Sequence, residues 1–236
     1  MLKYEAIAQE LREKIHHGEY RSGEQLPLEK EMCDFYGVSR ITIRRAVDEL
    51  VKNGLVIKRR GAGTFVKSLK RSDVKELSEP GQFLGFAATY ADKKVTTKVL
   101  RFAIVHPDKM TAGKLRLSEE DFVYDIVRVR SVDGEPIVVE YTKMPIERIP
   151  RVKHSVLEHS IYRYIEEDLG LKIQSAHRIV RAVMPTELEK EELHIEGVLP
   201  LLEVTQTAFL DDGRPFEYSI SRHRGDKSDF RTISVR

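Results

Sequence analysis

Gly37-Val38-Ser39-Arg40-Ile41-Thr42-Ile43-Arg44-Arg45-Ala46-Val47-Asp48-Glu49-Leu50 is the stretch whose reading decides the fold. Ser39 is placed to cap a helix, its hydroxyl accepting a hydrogen bond from a free N–H of the first turn. Ile43, Ala46, Val47 and Leu50 then recur at i, i+3, i+4 and i+7, the apolar stripe of an amphipathic helix. Arg40 and Arg44 lie four apart and off that stripe, with Arg45 beside them. A helix packed on one side, with arginines and small side chains near its N-terminus on the other, suits the major groove of DNA.

Upstream, Tyr4, Ile7, Ala8, Leu11 and Ile15 form the stripe of a first helix that Gly18 ends. Ser22-Gly23-Glu24-Gln25-Leu26-Pro27 reads as a turn. A second helix follows from Glu29 to Tyr36, burying Met32, Cys33 and Tyr36, and Gly37 breaks it. A short helix, a tight glycine turn and a longer helix make a helix-turn-helix. Downstream, Asn53-Gly54 ends the third helix. Leu55-Val56-Ile57-Lys58 and Thr64-Phe65-Val66 read as two short strands around Arg59-Arg60-Gly61-Ala62-Gly63. This hairpin is a wing. Its tip glycines let the backbone approach a phosphate or the minor-groove floor closely, and the arginines suit the concentrated negative potential of a narrow minor groove.

The bulk composition is that of an ordinary globular chain: 236 residues, 41% hydrophobic, 33% charged and a net charge of +2. A nucleic-acid site therefore rests on local clusters, and these lie in the first third: Arg40, Arg44 and Arg45, then Lys58-Arg59-Arg60, then Lys67, Lys70 and Arg71. The single cysteine, Cys33, excludes an intramolecular disulfide and a cysteine-based zinc site, and is expected to be a small apolar core residue. The opening Met1-Leu2-Lys3-Tyr4-Glu5 brings charge at once, so no secretory leader is read. No apolar run approaches the roughly 20 residues that span a bilayer. A cytoplasmic protein with no membrane partner is expected.

Residues 67–80 are polar and without periodicity, and are expected to link two domains, 1–66 and 81–236. Fully stretched, such a linker reaches at most roughly 50 Å. Beyond it, alternation predicts strands over 95–105, 122–132, 135–144, 173–184, 201–210 and 214–222. Pro107-Asp108 opens a short helix to about Leu115. Ser155-x-x-Glu158 reads as a capping box for one helix burying Val156, Leu157, Ile161, Tyr164, Ile165 and Leu169, ended by Gly170, and Thr186-x-x-Glu189 caps another. Asp133-Gly134-Glu135-Pro136 and Asp212-Gly213-Arg214-Pro215 mark two similar hairpins. Glu140 lies seven residues after its Asp and Glu217 five after. Both offsets are odd, so both carboxylates are expected on the same face. The pattern is an antiparallel α+β domain.

The first third resembles the GntR family of bacterial transcription regulators. The likeness rests on Tyr4-x-x-Ile7-Ala8, Gly18-Glu19-Tyr20, Gly23-x-x-Leu26-Pro27, Val38-Ser39-Arg40-x-Thr42-x-Arg44, Asn53-Gly54-Leu55 and Gly61-x-Gly63-Thr64-Phe65-Val66. One departure is Leu28, where the family usually has a small capping residue, so helix two is expected to start less firmly. The resemblance implies base contacts from Arg40 and Arg44, with Arg45 a third. It implies contacts to phosphate or bases from Lys30 and Ser39, and places Arg60, Gly61 and Gly63 at the minor groove. Thr42 is read either as a cap partner or as a DNA contact.

The remainder resembles the UTRA effector domain of the HutC-type branch of that family. The likeness is carried by Val127-Arg128-Val129-Arg130, Asp133-Gly134-Glu135-Pro136, Glu140, His159-Ser160-Ile161-Tyr162, Asp212-Gly213-Arg214-Pro215-x-Glu217-Tyr218-Ser219 and Arg224-Gly225-Asp226. It implies a chorismate-lyase-like antiparallel sheet with flanking helices and a small molecule bound between them. Arg128 and Arg130 are two apart on a strand and so share a face, which suits a phosphate or carboxylate. Ser160 and Tyr162 add hydroxyls, and Glu140 and Glu217 accept from sugar hydroxyls or an amine. His223 stacks or hydrogen-bonds, and Gly85, Phe86 and Ala87 form a loop over the ligand. Phe86 and Tyr90 are otherwise read as core, and His106, His154, His177 and His194 as structural or solvated.

The expected function is a ligand-responsive DNA-binding repressor: a homodimer on an imperfect palindrome, released by a small anionic metabolite such as a sugar phosphate. One alternative is a DNA-binding protein whose second domain only dimerises, which Gly85, in place of a small hydroxyl residue, favours. The other is a lyase-like enzyme. Against the enzyme, the sequence shows no activated nucleophile, no metal-ligand constellation and no paired carboxylates tied to a base. No catalytic residue, metal or cofactor is expected.

Overall fold

A computed structural model describes residues 2–67, 86, 90 and 92–229. These fall into two compact units, one up to residue 67 and one from residue 86 onward. Residues 68–80 of the expected linker, Gly85 and Ala87 lie outside the described residues.

The first unit contains α1 (Lys3–His17), α2 (Glu29–Tyr36), α3 (Arg40–Lys52), β1 (Val56–Arg59) and β2 (Gly63–Val66). Its core is the stripe read from the sequence: Ile7, Ala8, Leu11 and Ile15 of α1 against Ile43, Ala46, Val47 and Leu50 of α3, with Leu26, Met32 and Leu55. Cys33 is half-buried at the margin of this core. Leu28 gives α2 no side-chain cap, but the Glu31 carboxylate accepts the Leu28 N–H at 2.7 Å and supplies half of a capping box. β1 and β2 pair antiparallel, Val56 opposite Val66 and Arg59 opposite Gly63. The segment read as a turn does more than turn: Leu26 N–H donates to Thr64 O at 2.8 Å and Val66 N–H to Glu24 O at 2.8 Å. The wing is thus stitched to the helix-turn-helix.

The second unit contains β3 (Val95–Val105), α4 (Lys109–Leu115), β4 (Val123–Val132), β5 (Glu135–Pro145), α5 (His154–Leu157), α6 (Ile161–Arg163), β6 (Ile173–Val183), α7 (Glu187–Glu192), β7 (Leu201–Leu210) and β8 (Pro215–Arg224). The strands form one antiparallel sheet in the order β3-β4-β5-β8-β7-β6. Each half repeats one plan: a strand, a short capped helix, a strand, an Asp-Gly hairpin and a return strand. Asp108 caps α4, its side chain accepting from Thr111 N–H, and Thr186 caps α7, accepting from Glu189 N–H. Asp133 (φ 52°) and Gly134 (φ 88°) make the left-handed two-residue turn of the first hairpin. Both return strands carry an extra residue at the same distance from the turn. Ile137 lies between the paired Pro136 and Val138, and Phe216 between Pro215 and Glu217.

One face of the sheet is covered by α5 and α6, whose Leu157 and Ile161 pack with Tyr124, Ile126, Met144 and Phe216. The other face is covered by α4, through Leu115 with Val123 and Tyr218, and by the segment after α7, through Leu193 with Val127, Val129 and Val139.

The single helix expected from Ser155 is corrected. The chain forms α5, breaks, and restarts as α6, which runs into a wider turn over Tyr164–Asp168. Ser155-x-x-Glu158 is not a capping box: Lys153 precedes α5 and makes no side-chain cap. Ser160 is the cap, accepting from Arg163 N–H at 3.2 Å. The break has a distant cause. The Leu157 and His159 carbonyls face the Arg128 guanidinium, whose Nη1 donates to them at 3.0 and 3.5 Å.

Candidate DNA-binding surface and effector site

α3 presents Arg40, Arg44 and Arg45 on its exposed side, beside a fully buried Ile43 and Ala46. Lys30 on α2 and Arg60 and Gly61 on the wing are also exposed. Ser39 caps α3, its Oγ accepting from Thr42 N–H at 3.3 Å while the two hydroxyls lie 3.0 Å apart. Thr42 is the partner of the Ser39 cap. Arg44 is not idle: its Nε donates to both Glu29 oxygens, at 3.0 and 3.2 Å. Arg59 lies over the Phe65 ring at 4.7 Å, and both Arg59 and Arg60 are exposed.

Gly63 has an internal role. Its φ is 119°, and a Cβ there would collide with the Gln25 side chain, whose Nε2 donates to Ala62 O at 2.9 Å. The glycine makes room for a strut that holds the wing tip from inside.

In the second unit, cross-strand partners share a face, and the register assembles the site. Arg128 opposes Glu140, Glu140 opposes Ser221, and Arg130 opposes Val138, itself opposite His223. Ser219 and Glu217 follow on β8, with Gln206 opposite Ser219 and Arg178 opposite Gln206. Glu140 and Glu217 do share a face, the one under α5 and α6.

Two poles result. At the first, Arg128 Nη2 donates to Glu140 Oε2 at 2.6 Å, and Arg130 Nη1 lies 3.8 Å from the same oxygen. Both arginines are buried, and the Phe86 ring lies 4.8 Å from the Arg130 guanidinium. Burial pushes the Glu140 carboxyl up, but the Arg128 and Arg130 charges outweigh it and hold it below its ordinary value. Burial lowers the Arg130 guanidinium, partly offset by Glu140. His223 is kept neutral in tendency by burial, against the pull of Glu140.

At the second pole, Gln206 is clamped by its partners. Arg178 Nε donates to its Oε1 at 2.7 Å, while its Nε2 donates to Tyr162 Oη at 3.1 Å and to Glu217 Oε1 at 2.8 Å. Ser219 Oγ donates to Glu217 at 2.6 Å. Burial raises the Glu217 carboxyl above its ordinary value, and the hydrogen bonds from Ser219 and Gln206 only partly oppose it. Tyr162 is raised well above its ordinary value, by burial and then by Glu217.

The structure thus brings Phe86, Arg128, Arg130, Glu140, Tyr162, Glu217 and His223 to one face, whereas Ser160 serves α6 as its cap. Gln206, Ser219 and Arg178 were missed by sequence reasoning. Period-2 alternation from Glu217 to Ser219, carried across the register to Gln206 and Arg178, was the signal that could have found them. Among the described residues no cluster of three or more His, Cys, Asp or Glu could hold a metal ion, and no helix is long and apolar enough to cross a membrane.

Comparison with known proteins agrees with this two-domain fold. The family described as bacterial regulatory proteins, gntR family, matches residues 3–66, and the UTRA domain matches residues 91–229. The HTH-type transcriptional regulator GmuR of Bacillus subtilis (strain 168) is 38% identical over 236 residues, 100% of both chains. The mannosyl-D-glycerate transport/metabolism system repressor MngR of Escherichia coli (strain K12) is 33% identical, over 99% of this chain and 96% of its own. The crystal structure of the possible transcriptional regulator YydK from Bacillus subtilis superposes with a TM-score of 0.78 at 28% identity, covering 100% of both chains. A winged helix-turn-helix bearing exposed arginines, followed by a six-stranded sheet with buried charge, together with these matches, makes the chain a member of the GntR family of DNA-binding transcription regulators, in the HutC-type branch that carries a UTRA effector domain.

Proposed function

We propose that the protein is a cytoplasmic repressor released from its operator by a small anionic sugar derivative, a sugar phosphate or a sugar acid. The observation that carries this reading is the imbalance of charge at the first pole. Two buried arginines share one carboxylate, and Arg130 comes no closer to it than 3.8 Å. A buried charge without a close partner is costly, and an anionic ligand relieves it. Glu217, Gln206 and Tyr162 at the second pole suit the hydroxyls or amine of the same molecule. The name of MngR, a repressor of mannosyl-D-glycerate transport and metabolism, supports a carboxylate-bearing sugar as one member of the class.

In this reading a homodimer places α3 of each protomer in the major groove of one half of an imperfect palindrome, half-sites lying roughly 34 Å apart. Arg40, Arg44 and Arg45 meet base edges, Lys30 and the capped start of α3 meet the backbone, and Arg60 with Gly61 enters the minor groove. Residues 67–80 connect residues 1–66 to residues 81–236 and relay the state of the effector site.

A thermal-shift screen of the full chain against sugar phosphates, sugar acids and amino acids tests the proposal. A ligand at 100 times its Kd adds about 2.7 kcal/mol of stability. The expected hit also releases the protein from DNA upstream of its own gene in an anisotropy titration. A panel in which no anion both stabilises the protein and changes DNA affinity overturns the reading.

A further inference from the structure

We infer that the Thr97 hydroxyl and the Arg130 guanidinium together form the seat for the effector's oxyanion. This deepens the reading of the effector site above and rests on it. Thr97 on β3 is directly opposite Arg130 on β4, so the two side chains leave the same face with Cβ atoms roughly 4.5–5.5 Å apart.

Among the described residues, the buried side-chain atoms without a hydrogen-bond partner include Thr97 Oγ1, Arg130 Nε and Arg128 Nε. All three belong to this one corner of the sheet. Buried polar atoms in folded proteins are nearly always paired, so three orphans at neighbouring positions mark a place for something that pairs with them.

The two arginines differ in what they have left to give. Arg128 spends Nη1 on the Leu157 and His159 carbonyls and Nη2 on Glu140. Arg130 makes no hydrogen bond among the described residues, and its contacts are the Phe86 ring at 4.8 Å and the Glu140 oxygen at 3.8 Å. That oxygen is already held by Arg128, so Arg130 keeps its fork of N–H donors for an incoming group. An oxyanion accepts from the fork and from a hydroxyl at once. Phe86 over the guanidinium limits competition from water. Thr97 thereby becomes a selectivity residue: a neutral carbonyl brings one uncharged oxygen to these donors, whereas an oxyanion brings two or three oxygens and the charge that strengthens each hydrogen bond.

The test uses the full-length protein and two probes, inorganic phosphate and acetate, titrated at constant ionic strength by calorimetry. The two probes separate a phosphorylated effector from a carboxylate one. The wild type is expected to bind one of the two, and Thr97→Val to weaken that binding by about tenfold, the effect of losing a hydrogen bond to a charged group. Thr97→Ser restores it, and Arg130→Gln abolishes it. Unliganded Thr97→Val is expected to melt no lower than the wild type, since it removes a buried hydroxyl that lacks a partner. If Thr97→Val binds as the wild type does while Arg130→Gln does not bind, the role of Thr97 is overturned and the effector site stands. If the wild type binds neither ion, or Arg130→Gln binds normally, both fall.

Discussion

Glu140 and Glu217 are the same residue type on the same face of one sheet, yet burial and neighbours drive them apart. Glu140 titrates below the ordinary 4.5 because two arginines outweigh its burial, and Glu217 above it because burial outweighs its hydrogen bonds. The pH dependences of their contributions to stability therefore have opposite signs. The ionised Glu140 adds stability above its unfolded value and loses it as the pH falls through its lower folded value. Glu217 adds stability below its unfolded value and loses it as the pH rises from 4.5 through its raised folded value. Glu217→Gln removes the second effect. Its melting temperature is expected to exceed that of the wild type at pH 7.5, by about 2–4 °C per kcal/mol recovered, and to match it near pH 4. A variant as pH-sensitive as the wild type over that range refutes this account of Glu217. The sequence showed that the two carboxylates share a face, because strand parity is local. It did not show their opposite titration, because that depends on which residues from β4, β7 and α6 close over each.

At the scale of elements, legibility followed locality. α3 was readable to its cap because Ser39 and the Ile43–Leu50 stripe lie within a few turns of one another. The run from Ser155 to Leu169 was not, because the carbonyls that break it are claimed by Arg128, 29 residues from Leu157 in sequence. Nor was the wing's inner support: Gly63 looked like a contact at the tip, and its neighbour Gln25 came from a segment that read only as a turn. The wing offers a direct test. Gly63→Ala combines a left-handed backbone cost of roughly 1–2 kcal/mol with the collision against Gln25, whereas Gly61→Ala (φ 76°) has open space around its new methyl and bears only the first cost. The expected order of melting temperatures is wild type, then Gly61→Ala, then Gly63→Ala, and Gln25→Ala added to Gly63→Ala recovers part of the loss. Equal effects of the two glycine substitutions would remove Gln25 from the account of the wing.

Over the whole molecule, the net charge of +2 leaves DNA affinity to where the arginines sit and to how many heads engage at once. In the proposed dimer, a DNA fragment carrying one half-site binds about a hundredfold or more weakly than the complete palindrome, since the second contact is then lost as an intramolecular event. Fragment length and spacing series in an anisotropy titration measure this, and equal affinity for half and whole sites argues for a single engaged head. The effector domain carries a doubling of its own. Its two halves follow one plan, down to the inserted Ile137 and Phe216 four residues after their turn aspartates, and they meet at the β5–β8 seam. A scaffold with that approximate two-fold relation offers a bound molecule two reversed orientations. Arg128 and Arg130 beside the single carboxylate of Glu140 in one half, and Gln206 held between Arg178 and Glu217 in the other, break the equivalence. In the proposed function, such a site has a head and a tail, and distinguishes molecules by the order of their functional groups as well as by the groups themselves.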